Sequence, residues 1–102
     1  MRRSVVWLLL SLGLACAARA QSPEALNLRS MAAACAQCHG TDGRSAAGSA
    51  VPSIAGMPKD HLVTQLKAFK AGTRPATVMT QLAKGFSDAQ LEQLADYFSR
   101  QK

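Results

Sequence analysis

Five consecutive residues, Cys35-Ala36-Gln37-Cys38-His39, put two thiols and an imidazole into a CxxCH pattern. On a helical turn, a two-residue gap sets the two sulfurs at the vinyl positions along one porphyrin edge. Each thiol can add to one vinyl. The next residue then falls beneath the ring, where its imidazole binds iron. The pattern predicts one covalently bound haem c, attached through Cys35 and Cys38, with His39 as an axial ligand. Three other chemistries share part of this pattern. A thioredoxin-like redox pair belongs on a βαβ pattern, which is absent here. A zinc site wants four ligands, and only His61 and a carboxylate remain to complete one. A plain disulfide leaves His39 without a role.

The other face of the iron is less direct. The candidates are Met31, Met57, Met79 and His61. Met31 lies one helical turn before Cys35 and reads as core filler, the commonest fate of methionine. Met57 is 18 residues from His39, which is enough chain to reach around the ring. Met79 is 40 residues away, so a loop and a helix can pass around the ring first. His61 follows Asp60 on the first turn of a helix and reads as solvated.

The elements that must position these groups all read as helices. Ser22 as N-cap, Pro23 and Glu24 open a first helix that should reach about Ala36, with Leu28, Met31, Ala32 and Cys35 on one face. Residues 40–56 are rich in Gly, Ser, Ala and Pro and form a long loop. A second helix is expected from about Pro58 to Ala71, closed by Gly72, with Leu62, Val63, Leu66 and Phe69 inward. Thr73-Arg74-Pro75 is a turn, and Thr77 to Lys84 a short helix ended by Gly85. Ser87 and Gln90 form a capping box, flanked by the Phe86–Leu91 staple. Leu91, Leu94, Ala95 and Phe98 give the last helix its buried face, and it should reach about Arg100.

Composition bounds the rest. The chain has 102 residues, room for one domain. Arg2 and Arg3, an apolar run from Val5 to about Ala18 and the Ala18-Arg19-Ala20 site read as a signal peptide, residues 1–20, cleaved after Ala20. The apolar run is short for a membrane anchor, and Gly13-Leu14-Ala15 before Cys16 is a poor lipid-attachment sequence. The mature domain is then 21–102, exported to the periplasm, with no stable membrane insertion after cleavage. Losing Arg2, Arg3 and Arg19 takes the Lys and Arg count from 12 to 9 against 6 acids, so the formal charge falls from +6 to +3. Those cations are scattered, and no motif points to nucleic acid. A domain this small needs a staple, and the haem would supply it.

Cys35-Ala-Gln-Cys-His39-Gly40, Val51-Pro52-Ser-Ile-Ala-Gly56, Met79 and the helix from Ser87-Asp88 to Tyr97-Phe98 resemble class I cytochromes c of the short bacterial type. The resemblance implies an all-α fold, about four helices wrapped around one haem. It implies that His39 and Met79 are the iron ligands, and that the Pro52 carbonyl accepts a hydrogen bond from His39. It further implies an electron-transfer protein that is not an enzyme on its own. Electrons would pass at a haem edge near Ala36 and Gln37. Lys59, Lys67, Lys70, Arg74 and Lys84 are either a docking ring for a redox partner or ordinary solvated residues. More narrowly, Leu66 to Met79 and Ala83 to Asp88 resemble the cytochrome subunit of flavocytochrome c sulfide dehydrogenase, in a one-haem version. The partner would then be a flavoprotein dehydrogenase subunit; a free shuttle serving another redox protein is the alternative. Met57 stands where related cytochromes commonly carry glutamine. A third reading is a haem sensor with an open iron site.

Overall fold

The computed structural model describes residues 20–102, and the expected signal peptide therefore lies, but for Ala20, outside the described residues. Four α-helices and one short 3-10 turn make up these residues, with no strand among them, so the all-α expectation holds.

Helix α1 spans Pro23–His39. Ser22 caps it, its hydroxyl accepting from the Ala25 amide at 3.2 Å, and Pro23 stands where its missing N–H costs nothing. The helix runs three residues beyond the expected end at Ala36. Nothing in Gln37-Cys38-His39 opposes a helix, and the stop is Gly40, with φ 87° and ψ 167°. The whole CxxCH segment is therefore helical. Gly40 N–H still bonds back to the Ala36 carbonyl at 2.9 Å before the chain turns away.

A 3-10 turn at Thr41–Gly43 follows, with Asp42 in the left-handed region at φ 54°. Aspartate tolerates that region better than most side chains. Here the turn is also held from outside: the Tyr97 hydroxyl donates to the Asp42 carboxylate at 3.0 Å, tying the turn to the last helix. The Gly43 carbonyl organises the long loop. It accepts from the Ile54 and Ala55 amides at 2.8 and 3.1 Å and from the Ser53 hydroxyl at 3.0 Å.

Helix α2 spans Lys59–Ala71 and ends on Gly72 in the left-handed conformation (φ 76°, ψ 11°). Helix α3 is Met79–Lys84, starting two residues later than expected. The first carbonyl to enter its ladder is that of Val78, which accepts from Gln81 and Leu82. Helix α4 is Asp88–Ser99. Its capping box is complete: Gln90 N–H donates to the Ser87 hydroxyl at 3.2 Å, and Ser87 N–H to the Gln90 side chain at 2.9 Å.

The core is small. Ala32 of α1, Leu62 of α2 and Leu94, Ala95 and Phe98 of α4 form one buried cluster, with Leu28, Met31, Cys35, Ile54, Met57, Val63, Leu66, Phe86 and Tyr97 packed half-buried around it. Ion pairs run along the α2–α4 seam: Lys59–Asp96 at 3.5 Å, Lys67–Glu92 at 2.7 Å and Lys70–Asp88 at 2.8 Å. The hydrogen bond to Glu92 raises the Lys67 pKa, and that to Lys70 lowers the Asp88 pKa. Exposed pairs like these add little stability. They do change how the cations read. Three of the five docking candidates neutralise acids of their own chain, and Arg74 folds onto α2. Among the described residues, Lys84 alone of the five is left without such a partner.

Tyr97→Phe measures the tie between the turn and α4. It is expected to cost about 1 kcal/mol, the usual worth of one hydrogen bond. Partial desolvation and the Asp42 bond raise the Tyr97 pKa above its ordinary 10.0. The neutral phenol is the form the fold favours. This contribution is therefore whole below pH 10 and is lost as pH rises through the raised value. Urea denaturation of both proteins at pH 7 and pH 11 should show the difference shrinking at the higher pH.

Candidate functional site

The last turn of α1 carries both cysteines and His39. Cys35 is half-buried against the core, Cys38 is exposed, and neither is in a disulfide. Burial pushes the Cys35 thiol above its ordinary pKa, and a backbone hydrogen bond offsets part of that rise. A thiol held neutral in this way is poorly suited to act as a thioredoxin-type nucleophile, which needs a lowered pKa. Nor do the described residues contain a set of three or more His, Cys, Asp and Glu side chains placed to share a metal ion. The zinc reading therefore lacks a ligand set there.

His39 is the only buried polar or charged residue among those described, 9% exposed. Its Nδ1 stands 2.6 Å from the Pro52 carbonyl oxygen. A carbonyl only accepts, so Nδ1 carries the proton and Nε2 is left with its lone pair. The His39 carbonyl is held too, accepting from the Ser45 hydroxyl at 3.2 Å. The imidazole is thus fixed in tautomer and orientation by a loop more than ten residues downstream.

The three methionines are placed differently. Met31 and Met57 pack against the buried cluster, whereas Met79 is not among the residues that do so. Met79 is half-buried at the first position of α3, between Val78 and Leu82, which are 53% and 46% exposed. His61 is exposed on the first turn of α2. The residues fit a haem. Two thiols sit one helical turn apart, a buried imidazole keeps one nitrogen free, and large apolar side chains near Met79 are left uncovered.

The family model described as Cytochrome c matches residues 29–102. This chain belongs to the cytochrome c family. Over its whole length it is 39% identical to cytochrome c4 of Azotobacter vinelandii, covering 52% of that protein. A cytochrome c4 of Pseudomonas aeruginosa matches at 39% over the whole chain and 50% of its own length. The cytochrome subunit of sulfide dehydrogenase of Chlorobaculum tepidum is 45% identical over 63% of this chain and 56% of the relative. A solved structure, cytochrome c4 of Acidithiobacillus ferrooxidans, superposes with TM-score 0.60 at 41% identity, covering 65% of this chain and 37% of that one. The chain spans about half the length of the curated relatives it matches.

A single cytochrome c domain implies one covalent haem c, and the fold is that of a class I c-type cytochrome. The sequence marks Gly40 as part of the motif and Thr41-Asp42-Gly43 as a turn, but not what these residues and Ser45 hold in place. Gly40 ends the motif helix, Gly43 gathers the loop that holds Pro52, and Asp42 and Ser45 pin the turn between them.

Proposed function

We propose that this cytochrome is a one-electron carrier in which Cys35 and Cys38 form the thioether links and His39 Nε2 and Met79 Sδ are the axial ligands. The haem, when bound, supplies an iron that alternates between ferrous and ferric. The chain's own residues set the terms of that exchange. The Pro52 carbonyl holds the proton on Nδ1, which fixes the ligating nitrogen and raises its basicity. A thioether opposite favours the reduced state and a higher potential. With His39 and Met79 both holding the iron, the site would have no open position for a substrate. The observation that carries the reading is the 2.6 Å bond from buried His39 to Pro52, because it prepares one nitrogen and no other for a metal.

Substitution of the second ligand tests it. The reduced wild-type spectrum should be low-spin and indifferent to carbon monoxide. Met79→Ala should bind carbon monoxide, and its potential should fall by on the order of 0.1 V, within the roughly 0.8 V that axial ligation commands. Met57→Ala should leave both unchanged. A wild-type protein that binds carbon monoxide would favour a sensor instead.

For the role in the cell, we infer export to the periplasm with residues 1–20 removed, since the basic start, apolar run and Ala18-Arg19-Ala20 site fit secretion. Among the described residues no helix is long and apolar enough to cross a membrane. The partner we propose is a flavoprotein sulfide dehydrogenase subunit, supported by the 45% identity to a cytochrome subunit of such an enzyme. The whole-chain match to cytochrome c4 favours a second reading, a shuttle or redox module serving other proteins. Capture of a flavoprotein by the tagged holoprotein, with sulfide-dependent haem reduction, separates the two.

A further inference from the structure

We propose that Arg74 is a positioning residue for Met79, holding the loop that delivers its sulfur; this rests on Met79 being the second axial ligand. Helix α2 ends at Ala71 and α3 begins at Met79. The chain between them is exposed throughout. Its first three residues are anchored. The Ala68 carbonyl receives the Thr73 amide at 3.0 Å, the Arg74 amide at 3.3 Å and the Thr73 hydroxyl at 3.3 Å. Beyond Arg74 the anchoring stops. Among the described residues, Ala76, Thr77 and Val78 donate no backbone hydrogen bond to another part of the backbone. Helix α3 has no side-chain cap to fix its start.

Arg74 supplies the missing constraint. Its side chain does not extend into solvent but lies back over α2. The guanidinium carbon is 4.5 Å from the centre of the Phe69 ring, and Nη1 donates to Gln65 Oε1 at 2.5 Å. A planar guanidinium stacks on a ring and bonds in plane at the same time, which an ammonium cannot do. This clasp fixes the last anchored residue before the free stretch, and so the direction in which Pro75 to Val78 leave α2. Proline adds stiffness at the next position through its fixed φ. Without the clasp the stretch has more conformations to sample, and the Met79 sulfur spends more time off the iron.

Cyanide binding to the ferric holoprotein reads this directly, because cyanide must displace the methionine. Arg74→Ala is expected to bind cyanide about tenfold more readily than wild type, equivalent to about 1.4 kcal/mol in the methionine-off population. Its far-red methionine-to-iron absorption should weaken, while its urea midpoint stays near wild type. Arg74→Lys should recover part of the effect, since a cation still lies over Phe69. Phe69→Leu, which removes the ring instead, should move cyanide binding the same way. Lys67→Ala, a cation on the same helix that does not touch the loop, should not move it. Wild-type cyanide binding in both Arg74→Ala and Phe69→Leu overturns the proposal, as does a rise matched by an equal rise in Lys67→Ala. If Met79→Ala keeps the far-red band, the ligand assignment itself fails, and the role of Arg74 falls with it.

Discussion

With Cys35 and Cys38 both replaced by serine, the protein is expected to lose its haem and, with it, most of its cooperative folding. The reason is the size of the core. The buried hydrophobic residues described are Ala32, Leu62, Ala83, Leu91, Leu94, Ala95 and Phe98, and three of the seven are alanines. Larger apolar residues such as Ile54, Met57, Val63 and Leu66 are only half-buried around that cluster. A domain this small, with no disulfide among the described residues, needs another staple. Thioether links from Cys35 and Cys38 would provide one, and the ring would cover apolar side chains that the protein leaves open. Far-ultraviolet circular dichroism and urea titration of the variant should show reduced helix and a broad transition. Serine keeps the size of each side chain but is more polar at half-buried Cys35, so an equal loss in the double Cys→Ala variant is what assigns the effect to the missing links. Single Cys→Ser variants should keep one link, with lower yield and intermediate stability. A double variant that folds as sharply as wild type would show that the haem is not the staple.

Gly40→Ala is expected to cost about 3 kcal/mol, a large share of the roughly 5–15 kcal/mol that holds a typical domain together. Two effects add. Gly40 sits at φ 87° and ψ 167°, a region essentially closed to residues with a side chain. A Cβ there would also stand 2.0 Å from the Arg44 carbonyl oxygen and 2.6 Å from its carbon. Those atoms are backbone and cannot rotate aside. The turn from residue 40 to 45 would have to shift, and it is the turn that follows His39 directly. The Ser45 bond to the His39 carbonyl and the Gly43 carbonyl that gathers Ser53, Ile54 and Ala55 lie within or beside it. Thermal melts should record the loss, and the ferric spectrum should show His39 ligation disturbed. Gly43→Ala is strained as well: its φ is 80°, and a Cβ there would stand 2.7 Å from Ile54 Cγ1 and from Phe98 Cδ1 in the core, although the atoms it meets belong to side chains and not to backbone.

The capping box and apolar face of α4 are readable in the sequence, because both lie within a dozen consecutive residues. The start of α1 and the Gly72 stop of α2 were readable for the same reason. Helix α1 runs three residues past Ala36, where the sequence suggests an end. Propensity falls off gently through Gln37-Cys38-His39, and the real stop is a glycine conformation. The cation ring fared differently. Lys67 and Glu92 are 25 residues apart, and Lys70 and Asp88 are 18 apart. Pairing at that distance depends on how α2 lies along α4, which no local pattern encodes. Asp42 and Tyr97, 55 residues apart, are the same case. At the site, CxxCH identified the attachment chemistry outright. Choosing among methionines does not follow from spacing alone; Met79 is what the resemblance implies, and the structure adds only that Met31 and Met57 pack on the core.

One haem held covalently through Cys35 and Cys38 underlies everything proposed above. The most direct measurement is a pyridine haemochrome assay on protein denatured and extracted with acidified acetone. One haem per chain is expected to stay with the polypeptide, with the absorption of a ring whose two vinyl groups are both saturated. Haem that passes into the acetone, or none at all, would contradict it.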